Sequence, residues 1–392
     1  MLASRPLGRR GWRSLATGTA LIVATVMPGF LTASLAPRIR ADFAFGDSTL
    51  GLAVGLFYVV SALASVPAGR LVDRVGATRG LRLSAALTAI CCLAVAALAE
   101  SGLGLTALLL IGGVGNALGG PSVSALLKRH VAVQRQGLAF GAQQSGAPLG
   151  AMLAGVALPA VAIPFGWQWA FVAAAAFGLV AVALAPEARA ADASSATGGR
   201  RPSGLGAVHA LGVAAALASA AGVGFVSFLV TYAVDSGMSE VAAGLLLAGV
   251  SLAATTSRIA VGIFANRAGQ EPLRPVATML AASVAGYLLL IAGEPAVIAA
   301  AALVAGSLGW AWPGGLTLAV VQRSPEAPGW AVGVMMTGLF VGAVTGPLLT
   351  GLLAEHELFE AAWIVCAALA LLAAATILAT LRGEVRSPSS DP

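Results

Sequence analysis

Gly69-Arg70-Leu71-Val72-Asp73-Arg74-Val75-Gly76 recurs 193 residues later as Gly262-Ile263-Phe264-Ala265-Asn266-Arg267-Ala268-Gly269. Each copy closes an apolar stretch, the first running over about residues 49 to 69 and the second over about 241 to 264. A second echo is independent of the first: Gly137, Gly141, Gly146 and Gly150 reappear at an offset of 192 as Gly329, Gly333, Gly338 and Gly342. Two unrelated patterns at nearly one offset mean that the chain contains a parallel internal repeat. In a membrane such a repeat sets a pseudo-two-fold axis along the membrane normal, with a binding site expected at the repeat interface near the midplane.

The membrane setting follows from composition. Of the 392 residues 58% are hydrophobic and only 10% charged, with a mean hydropathy of +0.92. Soluble domains run at ~45 to 50% apolar and about 25% charged, so a water-soluble globule is excluded. A spanning helix needs about 20 mostly apolar residues. Twelve stretches qualify, over about 15 to 36, 49 to 69, 80 to 99, 104 to 127, 138 to 160, 167 to 186, 208 to 232, 241 to 264, 275 to 292, 296 to 321, 331 to 353 and 360 to 381. The first begins after Arg5, Arg9, Arg10 and Arg13 and contains Ala33-Ser34-Leu35-Ala36, as a cleavable signal peptide does. Its length and the central Pro28-Gly29 favour an uncleaved helix.

The expected fold is therefore an all-α membrane protein of twelve transmembrane helices in two pseudo-symmetric six-helix bundles. Residues 1–14 form a tail, 15–186 the first half, 187–206 a linker rich in Ser, Gly and Ala, 207–381 the second half and 382–392 a second tail. Cations are retained on the cytoplasmic side of short loops. With the amino terminus inside, Arg38 and Arg40 are the cations left outside, so both termini are expected in the cytoplasm and the protein in the plasma (inner) membrane.

Net charge of +6 and a pI of about 10.0 do not make a nucleic-acid binder, because the cations are scattered between apolar runs with no aromatic-interleaved patch. Cys91, Cys92 and Cys366 sit inside apolar runs without metal-ligand spacing and read as small packing residues. No nucleophile-base arrangement, phosphate-binding loop or metal cluster occurs, so neither an enzyme nor an ATP-driven pump is expected, and no cofactor. The expected partners are a small-molecule substrate, with or without a coupling ion, and the lipid bilayer, around a monomer.

Polar groups at membrane depth are costly unless they meet a partner or water, which makes them site candidates. Asn116 lies near the centre of the fourth segment, Gln143 and Gln144 in the fifth, Tyr58 in the second, and Trp310 and Trp312 in the middle of the tenth. Amides would orient a small, partly apolar solute and indoles would supply area; interhelical hydrogen bonding and core packing are the competing roles. Arg258, about one and a half turns inside the end of the eighth segment, reads as a side chain reaching out to the interface. Pro148, with Gly146, and Pro347, with Gly346, are hinge candidates, since a proline frees a carbonyl and bends its helix.

Twelve segments as six plus six, with Gly69-x3-Asp73-Arg74-x-Gly76-x2-Arg79 between the second and third, resemble the major facilitator superfamily of secondary transporters. Gly166-Trp167-Gln168-Trp169-Ala170-Phe171 at the start of the sixth segment is similar to what many members carry. The resemblance implies transport by alternating access. It also implies that Asp73 docks on the start of the eleventh helix, near Gly329 and Trp330, with Gly69, Arg74, Gly76 and Arg79 around it, and holds a cytoplasmic gate shut. In the second copy Asn266, beside Arg267, replaces the acid, so its docking is expected to be weaker. Gln143 to Gly150 and Gly346-Pro347 resemble the Gly-Pro element of exporters without its full glycine spacing. Leu109 stands where drug exporters carry an arginine four residues before Gly113-Val114-Gly115.

The functional expectation is secondary active or facilitative transport of a small organic solute. A proton-coupled drug efflux antiporter and a non-transporting sensor on the same fold are the alternatives. All 16 carboxylates lie in loops, tails or helix ends, which argues against a proton relay through the membrane.

Overall fold

The computed structural model describes residues 8–43, 47–183, 204–265 and 271–386. Among these, eleven helices are long and apolar enough to cross a membrane: α1 (Arg9–Ser34), α2 (Thr49–Val75), α3 (Ala77–Leu98), α4 (Gly102–His130), α5 (Val133–Phe165), α7 (Leu205–Asp235), α8 (Val241–Ile263), α9 (Leu273–Ala292), α10 (Pro295–Arg323), α11 (Pro328–Ala354) and α12 (Phe359–Glu384). The remaining one, α6 (Trp167–Ala183), has 17 apolar-rich residues, at the lower limit for a span. Helices are what lipid permits, because each backbone N–H and C=O must find its partner within the segment. Large apolar side chains such as Leu63, Leu103, Leu245 and Leu252 stand exposed on their surfaces, where hydrocarbon chains are the matching solvent.

Several connections are very short. Gly76 alone separates α2 from α3 and takes φ +88, a left-handed backbone that a side chain would strain. Gly166, with φ +101, turns α5 into α6 in the same manner. A helix over Ala36–Phe43 follows α1, and Asp42 on it accepts a 2.7 Å hydrogen bond from the Trp167 indole N–H at the start of α6.

The described residues form two compact units, one drawn from 1–203 with Pro325–Gly333, the other from 204–324 with 334–392. The first turns of α11 thus belong to the first unit. That unit has a core of Leu31, Leu35, Leu105, Leu109, Trp167 and Phe171, with Cys91 and Cys92 among them. The second has Phe225, Leu229, Tyr232, Tyr287, Leu290 and Trp363, with Cys366. All three thiols are buried and free.

Without a hydrophobic drive between helices in lipid, close approach of small residues holds the bundle. In the first unit a Cβ on Gly146 would lie 3.1 Å from the Thr19 carbonyl oxygen, and one on Gly150 3.3 Å from that of Val23. In the second unit, Gly338 presses on the Gly212 carbonyl and Gly342 on that of Ala216. Gly212 and Ala216 are Thr19 and Val23 displaced by 193 residues. The sequence repeat is therefore a repeat of helix contacts, α1 with α5 and α7 with α11.

Two helices differ from the expected continuous segments. α5 is longer than 138–160 and is interrupted at Ser145, with a π-turn over Leu158–Ala162. Pro148 supplies no N–H for the carbonyl of Gln144, which is where the first stretch ends. α10 is two helices, Pro295–Gly309 and Pro313–Arg323. Pro313 likewise leaves the Gly309 carbonyl without its helical donor. Pro347, by contrast, sits inside an unbroken α11.

Candidate gate and polar sites

In the first unit Gly69 is buried so closely against the backbone of Gly329 and Trp330 that a Cβ there would collide with the Gly329 carbonyl. This approach brings Asp73, one turn further along α2, over the first turn of α11. Its Oδ1 accepts from the Gly329 N–H and its Oδ2 from the Trp330 N–H, each at 2.8 Å. Unpaired N–H groups and the positive end of the helix dipole favour an anion there, and each charge-assisted bond contributes about 1.5 to 3 kcal/mol. Lys128, at the end of α4, donates to the Pro325 carbonyl at 2.9 Å, just before the same helix. Arg74, next to Asp73 in the chain, and Arg79, in the first turn of α3, are both exposed. Asn266 and Arg267 lie outside the described residues.

Deeper in the first unit, Asn116 is buried on α4 and its amide donates to Ser61 Oγ at 3.1 Å, while Ser61 donates to the Phe57 and Gly113 carbonyls. Gln143 is fully buried and donates to Gly120 O at 3.3 Å and Ser124 Oγ at 3.2 Å. Both amides are thus tied between helices. Gln144, next to the break in α5, is buried. Tyr58 is half-buried on α2, edge-on to Phe57 with ring centroids 5.1 Å apart.

The second unit holds the two indoles at the α10 break instead of within a continuous helix. Trp312 is buried, whereas Trp310 is half-buried. Arg258 of α8 does not reach out to the interface as its position suggested; it is 4% exposed. Its Nε donates to the Trp310 carbonyl at 2.9 Å, and its guanidinium carbon lies 5.1 Å from the Trp310 ring centroid. The physical reason is the break itself. It leaves carbonyls at the end of a helix without their usual donors, and a cation there meets both the dipole and an aromatic face.

Sequence reasoning also missed an ion cluster in the second unit. Arg323, at the end of α10, pairs with Glu384 at 2.8 Å and with Glu271 at 3.0 Å. The partners come from three separate stretches, and only the terminal positions of all three acids and bases hinted at it.

The sequence pattern of the Major Facilitator Superfamily matches residues 17–293 and 211–392. The chain belongs to this superfamily. An uncharacterised MFS-type transporter of Mycobacterium tuberculosis is 27% identical over 369 residues, spanning 90% of this chain and 79% of that one. A quinolone resistance transporter of Acinetobacter baumannii is 31% identical over 154 residues, 38% of this chain and 35% of its own length. Among solved structures, the human organic anion transporter MFSD10 overlays with a TM-score of 0.76 at 18% identity, covering 95% of this chain and all of that one. The proton:xylose symporter XylE gives 0.71 at 16%, with 94% of each chain covered. The fold is the twelve-helix fold of the superfamily, a multi-pass membrane transporter fold and not an enzyme's.

Proposed function

We propose that this superfamily member moves a small organic solute across the plasma membrane by alternating access, with both termini in the cytoplasm. The observation that carries the reading is the pair of 2.8 Å bonds from the first turn of α11 to the Asp73 carboxylate. A charged latch on a helix end can be made and broken without unfolding either helix. That is what a gate requires. Asp73 holds the start of α11 against the end of α2, Gly69 permits the approach, and Lys128 steadies the preceding loop. The glycine contacts of α1 with α5 and of α7 with α11 let those pairs slide, and the proline at 148 supplies a bend.

Tyr58, Gln144 and Trp310 are assigned to solute contact. Asn116 and Gln143, held between helices, orient the frame around it, and Trp312 supports Trp310. Residues 15–186 and 207–381 act as the two moving halves. Uptake and efflux assays in liposomes, across organic acids, amines, sugars and amphipathic drugs, test the reading. Transport of one class that is slowed by Asp73→Asn is expected, and absence of transport for every class overturns it.

The partial likeness to the quinolone resistance transporter favours a second reading, drug efflux. Leu109, where drug exporters carry an arginine, speaks against its proton-coupled form.

A further inference from the structure

The break in α10 gathers polar hydrogens that the fold itself leaves unused. The Tyr287 hydroxyl on α9 is fully buried and has no hydrogen-bond partner. It sits against Gly309, the last residue before the break, where a Cβ would lie 2.6 Å from it. Trp312 Nε1, three residues on, is also buried and without a partner. Trp310, the residue after Gly309, accepts at its carbonyl from the Arg258 Nε–H, and its ring faces the guanidinium. Burying a polar group without a partner is costly, so the Tyr287 hydroxyl held against the end of the first half of α10, beside the carbonyl that Arg258 caps, points to an absent acceptor.

The chemistry of that acceptor is constrained. An indole N–H donates only, a guanidinium donates only, and a phenol donates as readily as it accepts. A cation is repelled by Arg258. A neutral carbonyl already occupies the Arg258 Nε, and a charged carboxylate makes a bond roughly twice as strong. We propose that Arg258, Tyr287 and the α10 break form the recognition point for the carboxylate of a small organic acid. The inference rests on the transport reading and names its substrate class. The carboxylate takes the Arg258 N–H from the Trp310 carbonyl and accepts from the Tyr287 hydroxyl. Binding thereby removes the cationic cap from the first half of α10, so occupancy and the geometry of the break are linked.

The test uses the full-length protein, purified in detergent and in liposomes. Acetate, benzoate and 3-phenylpropionate are each compared with the corresponding primary amide, by unfolding midpoint and by uptake of the labelled compound. At least one acid should raise the midpoint and be transported while its amide does neither. Tyr287→Phe should weaken that acid roughly tenfold, and Arg258→Gln should abolish the distinction between acid and amide. Equal binding of acid and amide by wild-type protein overturns the proposal. So does transport of amines, sugars or drugs, but no acid, at rates indifferent to Tyr287→Phe, a result that leaves the transport reading standing. Failure to move any compound of any class sinks the transport reading itself. If Arg258→Gln does not assemble, the wild-type comparison and Tyr287→Phe still decide.

Discussion

Both bonds to the first turn of α11 are accepted by one side chain, Asp73, so the proposed gate is testable at a single residue. Asn at this position keeps an oxygen for one backbone N–H but loses the charge that both N–H groups and the helix dipole favour. Asp73→Asn should therefore weaken the closed cytoplasmic side by ~0.3 to 2 kcal/mol and slow turnover. The check is labelling of single cysteines placed at the cytoplasmic ends, in a protein freed of Cys91, Cys92 and Cys366; unchanged accessibility in the variant removes the gate. Gly69→Ala should do more damage than Asp73→Asn, because its methyl group meets the Gly329 backbone and not a flexible side chain. Residues of this kind were legible in the sequence, since a glycine and an acid at fixed spacing after an apolar run carry a local meaning. Arg258 was not. Its depth in the eighth segment could be read, but its destination depended on a break in another helix, 52 residues away in the chain, that hydropathy does not register.

At the scale of elements, the twelve spans were visible because lipid imposes length and composition on every one of them. Interruptions within a span leave hydropathy untouched, so α10 read as one helix although Trp312-Pro313-Gly314-Gly315 carried the signal of its break. Proline removes one N–H and clashes with the preceding turn. Pro313→Ala should give the Gly309 carbonyl its donor again and stabilise the protein by about 0.5 to 1.5 kcal/mol, seen as a higher unfolding midpoint. Transport should slow in the same variant, because a straightened α10 takes the Trp310 carbonyl away from Arg258. A variant that is both steadier and as fast as wild type removes the break from the working cycle. The glycine contacts make a complementary forecast. Gly342→Leu forces a side chain into the Ala216 carbonyl and should cost about 1 to 3 kcal/mol of stability, with lower yield of folded protein from membranes. Gly244→Leu, where a Cβ would meet open space, is the control and should leave the yield as it is.

For the whole molecule, the question is how transport is driven. The sequence carries 16 carboxylates, none of them in the middle of an apolar stretch. In the structure the best held of them are employed near helix ends: Asp73 on the first turn of α11, Asp42 on the Trp167 indole, and Glu271 and Glu384 on Arg323. A proton relay through a membrane needs an ionisable group that loads on one side and unloads on the other, and buried Asp, Glu or His at depth serve that purpose. Among the described residues the buried polar side chains at depth are amides, hydroxyls, indoles, thiols and the Arg258 guanidinium, none of them a carboxylate or imidazole suited to a relay. Transport should accordingly run as facilitated diffusion, as solute exchange, or as symport in which an organic acid carries its own proton. Uptake of a sulfonate, which stays anionic at any working pH, into liposomes with an imposed pH gradient separates these from a protein-borne proton site. The sulfonate should equilibrate without accumulating, while the corresponding carboxylate accumulates if it travels with its proton. Gradient-driven accumulation of the sulfonate, lost when one of the helix-end carboxylates is neutralised, would reverse the conclusion and assign that carboxylate as the coupling site.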